Sequence, residues 1–148
     1  MGSRIAALVA GLAVTLAVAG VATAGTGGRP LSTPMTGAEE APGPGDPDAT
    51  GQADLRLNQG QRRVCFDVSW TNVDGTVNAG HIHIAPVGVP GAIVVPLFAG
   101  SFAGTGDISD CVEGVDRGLI KAIRKNPSAY YVNVHSLPNF AAGAVRGQ

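Results

Sequence analysis

The feature that most narrows what this chain can become is a pair of neighbouring segments in which apolar and polar residues alternate. Ala53, Leu55 and Leu57 are separated by Asp54 and Arg56. After Asn58-Gln59-Gly60-Gln61, the residues Val64, Phe66, Val68 and Trp70 alternate with Cys65, Asp67 and Ser69. A period of two places each set on its own face of a pleated strand. The two segments therefore read as a hairpin with one buried face, and Asn-Gln-Gly-Gln supplies its turn.

The rest of the chain fits around that hairpin as further short strands. Residues 31–37 read as an edge strand, because Pro34 lacks an amide proton, and Glu39 to Asp48 packs Pro, Gly and four acids into a loop. Thr71 to Val77 is a connection with a turn at Asp74-Gly75. Asn78 to Ala85 is a strand that sets His81 and His83 on one face and Ile82 and Ile84 on the other. Pro86 to Gly91 reverses the chain into the β-branched run Ala92 to Leu97. The stretch from Phe98 to Asp110, rich in Gly, Ser, Thr and Asp, leaves room for one short strand.

One segment departs from the β pattern. Asp116 caps a helix in which Leu119, Ile120 and Ile123 form an apolar stripe and Arg117, Lys121, Arg124 and Lys125 face water. Asn126-Pro127 ends it, since the residue before proline disfavours helical backbone. The cations near its C-terminus complement the helix dipole and need no ligand to explain them. Ala129 to Ser136 is again a strand, with Tyr130, Val132 and Val134 opposite Tyr131, Asn133 and His135. Residues 143–148 form a last short strand. Many short strands with frequent turns predict an all-β fold: a Greek-key-like antiparallel sandwich or barrel with one short helix near 116–126.

Residues 1–24 carry one charge, Arg4, then an apolar run and the small-residue end Ala22-Thr23-Ala24, the pattern of a cleaved secretory signal peptide. Residues 25–30 read as a disordered Gly-rich tail and 31–148 as one β domain. Lys and Arg number 10 against 11 Asp and Glu. This balance gives no footprint for nucleic acid or an anionic membrane. No membrane span is expected once the leader is removed. Two cysteines in an exported chain, Cys65 and Cys111, read as one disulfide.

An ordered set of short motifs then stands out: Thr36-Gly37-Ala38-Glu39-Glu40-Ala41-Pro42, Ala79-Gly80-His81-Ile82-His83, Gly88, Gly91, Tyr131-Val132-Asn133-Val134-His135 and Arg146-Gly147-Gln148. In order and spacing these resemble the CHRD domain, named after the animal protein chordin and also found in bacterial secreted proteins. The signature positions are Gly80, His81, His83, Gly88, Gly91, Asn133, His135, Arg146 and Gly147. The family often ends in Gly-Glu-Ile-Arg-Gly-Gln, where this chain has Ala144 and Val145. The resemblance implies a non-catalytic extracellular binding or structural module whose partner is an extracellular protein or cell-surface component. A shared fold does not by itself fix a function.

The histidines carry the alternative. His81 and His83 share a face, and His135 can reach them from a neighbouring strand. Three imidazoles on a β scaffold suit Zn²⁺ or Cu²⁺ with an open position for water. The His-x-His pair also resembles the copper-binding pair of Cu/Zn superoxide dismutases, but a fourth histidine is lacking and dismutase activity is not expected. The competing reading makes the histidines structural, bonded to backbone carbonyls or to Asn133. Hydrolytic catalysis finds little support. There is no G-x-S-x-G, Ser136 and His135 point to opposite faces, and Asp67 and Asp107 lie apart in the sequence from both. Arg146 reads as a structural fork to loop carbonyls or to Glu39 or Glu40.

Overall fold

The alternation builds the sheet that it predicts. A computed structural model describes residues 27–148, so the signal peptide read over 1–24 and the first two residues of the tail lie outside the described residues. The chain forms β1 (Arg29–Thr36), β2 (Thr50–Asn58), β3 (Arg63–Thr71), β4 (Thr76–Ile84), β5 (Ala92–Phe102), β6 (Gly106–Val112), α1 (Arg117–Lys125), β7 (Tyr130–Leu137) and β8 (Phe140–Gly147). The order across the sheet is β5-β4-β7-β8-β1-β2-β3-β6, with neighbours antiparallel.

The edge strands β5 and β6 come together, so the sheet curls into a nearly closed barrel. The Trp70 indole helps hold that closure by donating to Ala103 O at 2.8 Å, in the link between β5 and β6. Because β3 pairs with β6 and not with β4, the chain crosses between them in a Greek-key excursion.

The hairpin of β2 and β3 supplies one wall of the core. Leu55 faces Phe66, Ala53 faces Val68 and Leu57 faces Val64. All six side chains are buried. Phe66, Trp70, Phe98 and Phe102 form a contiguous aromatic cluster, with centroid separations from 5.5 to 6.2 Å. Contacts of this kind each add about 0.5–1.5 kcal/mol beyond area burial. Gly80 makes room for the cluster: a Cβ there would sit 2.3 Å from the Phe98 ring. At the far end Ile120 and Ile123 of α1 dock on the core, and the Asp116 carboxylate caps the helix by accepting from Leu119 N at 2.9 Å.

Three expectations need correcting. Residues 98–110 hold more strand than their composition suggests, since β5 runs on to Phe102 and β6 fills Gly106–Val112. Pairing with β4 and β3 overrides weak intrinsic propensity there. Arg29 and Pro30, read as part of the tail, belong to β1, because β2 is long enough to pair with them through Arg56 and Leu57. β1 itself is an inner strand by order, yet it meets β8 at a single pair, Thr36 and Arg146. Most of one flank is thus left without a ladder, which is compatible with Pro30 and Pro34. Beside this seam lies an apolar cavity of about 280 Å³ whose walls include Leu31, Leu55, Ile82, Ile123 and Val132.

Cys65 and Cys111 face each other across β3 and β6 and are disulfide-bonded, 46 residues apart in sequence. Loop-closure entropy assigns such a bridge about 4 kcal/mol. The Cys65→Ala/Cys111→Ala variant is expected to lose stability of that order in urea unfolding, and a loss below about 1 kcal/mol would contradict it. Gly80→Ala is expected to cost about 1–3 kcal/mol by the same measurement, as Phe98 must give way. An unchanged midpoint would show that Phe98 moves freely.

Candidate metal centre

Strands β4 and β7 are direct neighbours, and their register decides what meets. His81 faces Asn133, His83 faces Tyr131, and Ala79 faces His135. Ile82, Val132 and Val134 belong to the core, so the histidines, Tyr131 and Asn133 occupy the outer face of the barrel. That face is covered all the same: His83, Tyr131, Asn133 and His135 are 6%, 3%, 1% and 9% exposed, and only His81 is half-buried. Ile84, at the strand end, is exposed despite its place opposite the histidines.

The cover comes from the connection between β4 and β5, and Arg146 holds it in place. The guanidinium donates to Val89 O and Pro86 O, both at 2.9 Å, and to Gln148 Oε1 at 3.0 Å. It lies 3.5 Å from the centroid of the Tyr131 ring. The other face of Tyr131 stacks on His83, with centroids 4.6 Å apart and planes 7° from parallel. The Tyr131 hydroxyl accepts from Gly91 N at 3.1 Å. Arg146, Tyr131 and His83 therefore form one stacked column under the reversal.

Backbone carbonyls fix two of the imidazoles. A carbonyl only accepts, so the His83 Nδ1–H donates to Gly91 O at 2.9 Å, and the His135 Nδ1–H donates to Ala141 O at 3.1 Å. In the neutral ring each bond leaves the Nε2 lone pair free. The His83 Nε2 is buried without a hydrogen-bond partner. The His135 Nε2 lies 3.0 Å from His81 Nδ1. One ligand atom from each of the three histidines falls within 4.8 Å of the others. A common point then exists within about 2.8 Å of all three, whereas Zn–N bonds need about 2.0–2.1 Å. Side-chain shifts under an ångström would close the set.

Electrostatics favour the neutral rings that a metal requires. Burial, followed by the nearby His135 and His83, pushes His81 down to about 4. Burial also lowers His135, against the opposing effect of its bond to Ala141 and with help from His83. Glu40 moves the other way. Burial raises it to about 7, although the Ala41 N–H, Arg146 and Asn133 all draw it down.

A sequence model of the CHRD domain matches residues 31–148. The chain belongs to the CHRD domain family. No curated protein and no solved structure matches it.

In this CHRD domain the residues on which the resemblance was read gather on and around the β4–β7 face. The glycines serve the backbone: Gly88 turns the reversal at φ +73°, a Cβ on Gly91 would strike Ile84 O, and one on Gly147 would strike Pro34 O. Cys65 and Cys111, bridged on β3 and β6, take no part. No hydrolytic arrangement assembles among the described residues. The Ser136 hydroxyl donates to Asp74 O, while the Asp67 carboxylate accepts from Ser109.

The sequence reading set Tyr131 on the face of Asn133 and His135 without a contact for it, and gave Glu40 only as one possible partner of Arg146. Tyr131 had a signal, being two residues from Asn133 on the same face. For Glu40 the only signal was the pairing with Arg146 offered as one option, and its burial went unseen because an acid in a Pro/Gly loop reads as exposed, whereas it is 6% exposed and lies where a Cβ on Gly143 would be.

These shifts set opposing pH dependences. A base whose folded pKa lies below 6.5 is protonated first in the unfolded chain. The contributions of His81 and His135 thus leave stability intact above about pH 6.5 and erode it as pH falls further, that of His81 down to about pH 4. Glu40 takes up its proton near pH 7 when folded and near 4.5 when unfolded, so acid stabilises through that window. In Glu40→Gln only the erosion remains. Its melting temperature is expected to fall more steeply than that of the wild type from pH 7 to 4.5, and an equal or shallower slope would contradict a raised Glu40.

Proposed function

We propose that this CHRD domain is an exported, non-catalytic binding module whose ligand at the β4–β7 face is a divalent metal ion, Cu²⁺ or Zn²⁺, taken by His81, His83 and His135. One observation carries the reading. Three imidazoles from two strands bring a nitrogen each to within 4.8 Å of one another, and one of those rings has a buried Nε2 with no partner. Isolated structural histidines also bond carbonyls, as His83 and His135 do. What a purely structural role does not require is that all three rings bring a nitrogen into one small volume. Backbone carbonyls behind two rings are also the usual way to orient metal-ligating histidines. The family, the signal-like residues 1–24 and the disulfide support export. Beyond the metal, the partner in that setting is an extracellular protein or a cell-surface component.

The test is calorimetric titration of the oxidised, chelator-stripped protein with Cu²⁺ and with Zn²⁺. One equivalent is expected to bind, and His81→Ala, His83→Ala and His135→Ala are each expected to weaken binding at least tenfold. No stoichiometric uptake of either ion, or wild-type affinity in all three variants, would overturn the reading.

A further inference from the structure

We propose that the apolar cavity beside the β1–β8 seam and the basic pocket next to it together bind a single-chain fatty carboxylate, its alkyl chain in the cavity and its head among the cations. No histidine lines either pocket, so this binding is separate from the metal reading.

The cavity follows from the seam. β1 meets β8 only through Thr36 and Arg146, which leaves the flank of β1 before Met35 without a ladder. The space holds about 280 Å³ and is walled by Leu31, Leu55, Ile82, Ile123 and Val132. Exposed Ser32, Pro127 and Ser128 border it, so it opens to solvent. Polar groups at its border are already engaged: Gln148 Nε2 donates to Ser128 O at 2.7 Å, and Thr33 Oγ1 donates to Gln148 O at 3.1 Å. Water inside finds few partners, and an apolar occupant displaces it favourably. A peptide strand is the wrong occupant. Thr36 faces β8, and every second residue of a strand turns its backbone groups the same way, so the missing amide protons of Pro30 and Pro34 fall on the open flank. Between them only Ser32 is left to donate there. An apolar cavity of about 150 Å³ takes benzene, so one of this size takes an alkyl chain of about eight to twelve carbons.

Charge assigns the head. A second pocket, of about 220 Å³, is lined by Arg29, Lys121, Arg124 and Lys125 with Gln59, and by no acid. The dipole of α1 accounts for cations at its end, but Arg29 comes from β1 and joins them from outside the helix. Among the described residues none of the four has a carboxylate within ion-pair distance. The Arg124 Nε is also buried without a hydrogen-bond partner. A carboxylate answers both needs, since guanidinium groups take it through paired N–H donors. The two pockets adjoin. Arg29 of one and Leu31 of the other share a face of β1 about 6.6 Å apart along the strand, and Arg124 and Ile123 are consecutive on α1. An apolar chain with one anionic end matches this order of surfaces.

The experiment titrates the oxidised, chelator-stripped protein with decanoate below its micellar concentration and follows the methyl signals of Leu31, Leu55, Ile82 and Ile123 by NMR. These methyls are expected to shift and saturate at one equivalent, to stay still with butyrate, and to report at least tenfold weaker binding of decanol. Leu31→Trp, which fills the cavity, is expected to weaken decanoate and decanol alike at least tenfold. Arg29→Gln/Lys125→Gln, at exposed positions, is expected to weaken decanoate at least tenfold and leave decanol unchanged. Thermal unfolding of each variant confirms that folded proteins are compared. Absence of saturable binding, wild-type affinity in both variants, or decanol binding as tightly as decanoate would each overturn the proposal. So would loss of decanoate binding in His81→Ala, which would place the carboxylate at the histidine face.

Discussion

Strand β7 meets water on neither face, and this double burial is the constraint from which the rest of the domain follows. Tyr130, Val132 and Val134 are enclosed by the barrel, while Tyr131, Asn133 and His135 are enclosed from outside. The inner face needs only apolar neighbours, which the hairpin of β2 and β3 and helix α1 provide. The outer face buries amide, hydroxyl and imidazole groups, and each uncompensated one costs about 1–3 kcal/mol. Arg146 answers much of that demand by clasping two carbonyls of the reversal over Tyr131.

Much of this was legible in the residues. The alternation in β2 and β3, the capped helix after Asp116 and the shared face of His81 and His83 are local patterns, each readable within a dozen positions. What was not legible depended on partners distant in the chain. The long course of β5 past Leu97 is set by its pairing with β4, and the burial of Glu40 is set by Gly143 more than a hundred residues away. The cover over the histidines could not be foreseen either, because Pro86 to Gly91 looks like any solvated turn until Arg146 is seen bonding to it.

The outer layer departs from the rule that a buried polar network should be complete. The His83 Nε2, the Glu40 Oε2 and one oxygen of Asp46 have no partner among the described residues. Proteins tolerate such defects where a local rule is broken for a purpose. Here two of the three lie in the layer around Asn133 and Arg146, and the rings beside them are held neutral by burial, the protonation state in which imidazole coordinates a metal.

The seam between β1 and β8 has a consequence for how the molecule comes into being. β8 joins β7 to β1, and through Arg146 it secures the cover of the histidine face. The segments that meet at the seam come from opposite ends of the domain, so the barrel closes only through a contact between its first and last strands. Such distant pairings are slow to find. Closure of the barrel therefore waits on the strand that comes last in the chain. It also means that the polar face takes its shape only as the final residues settle.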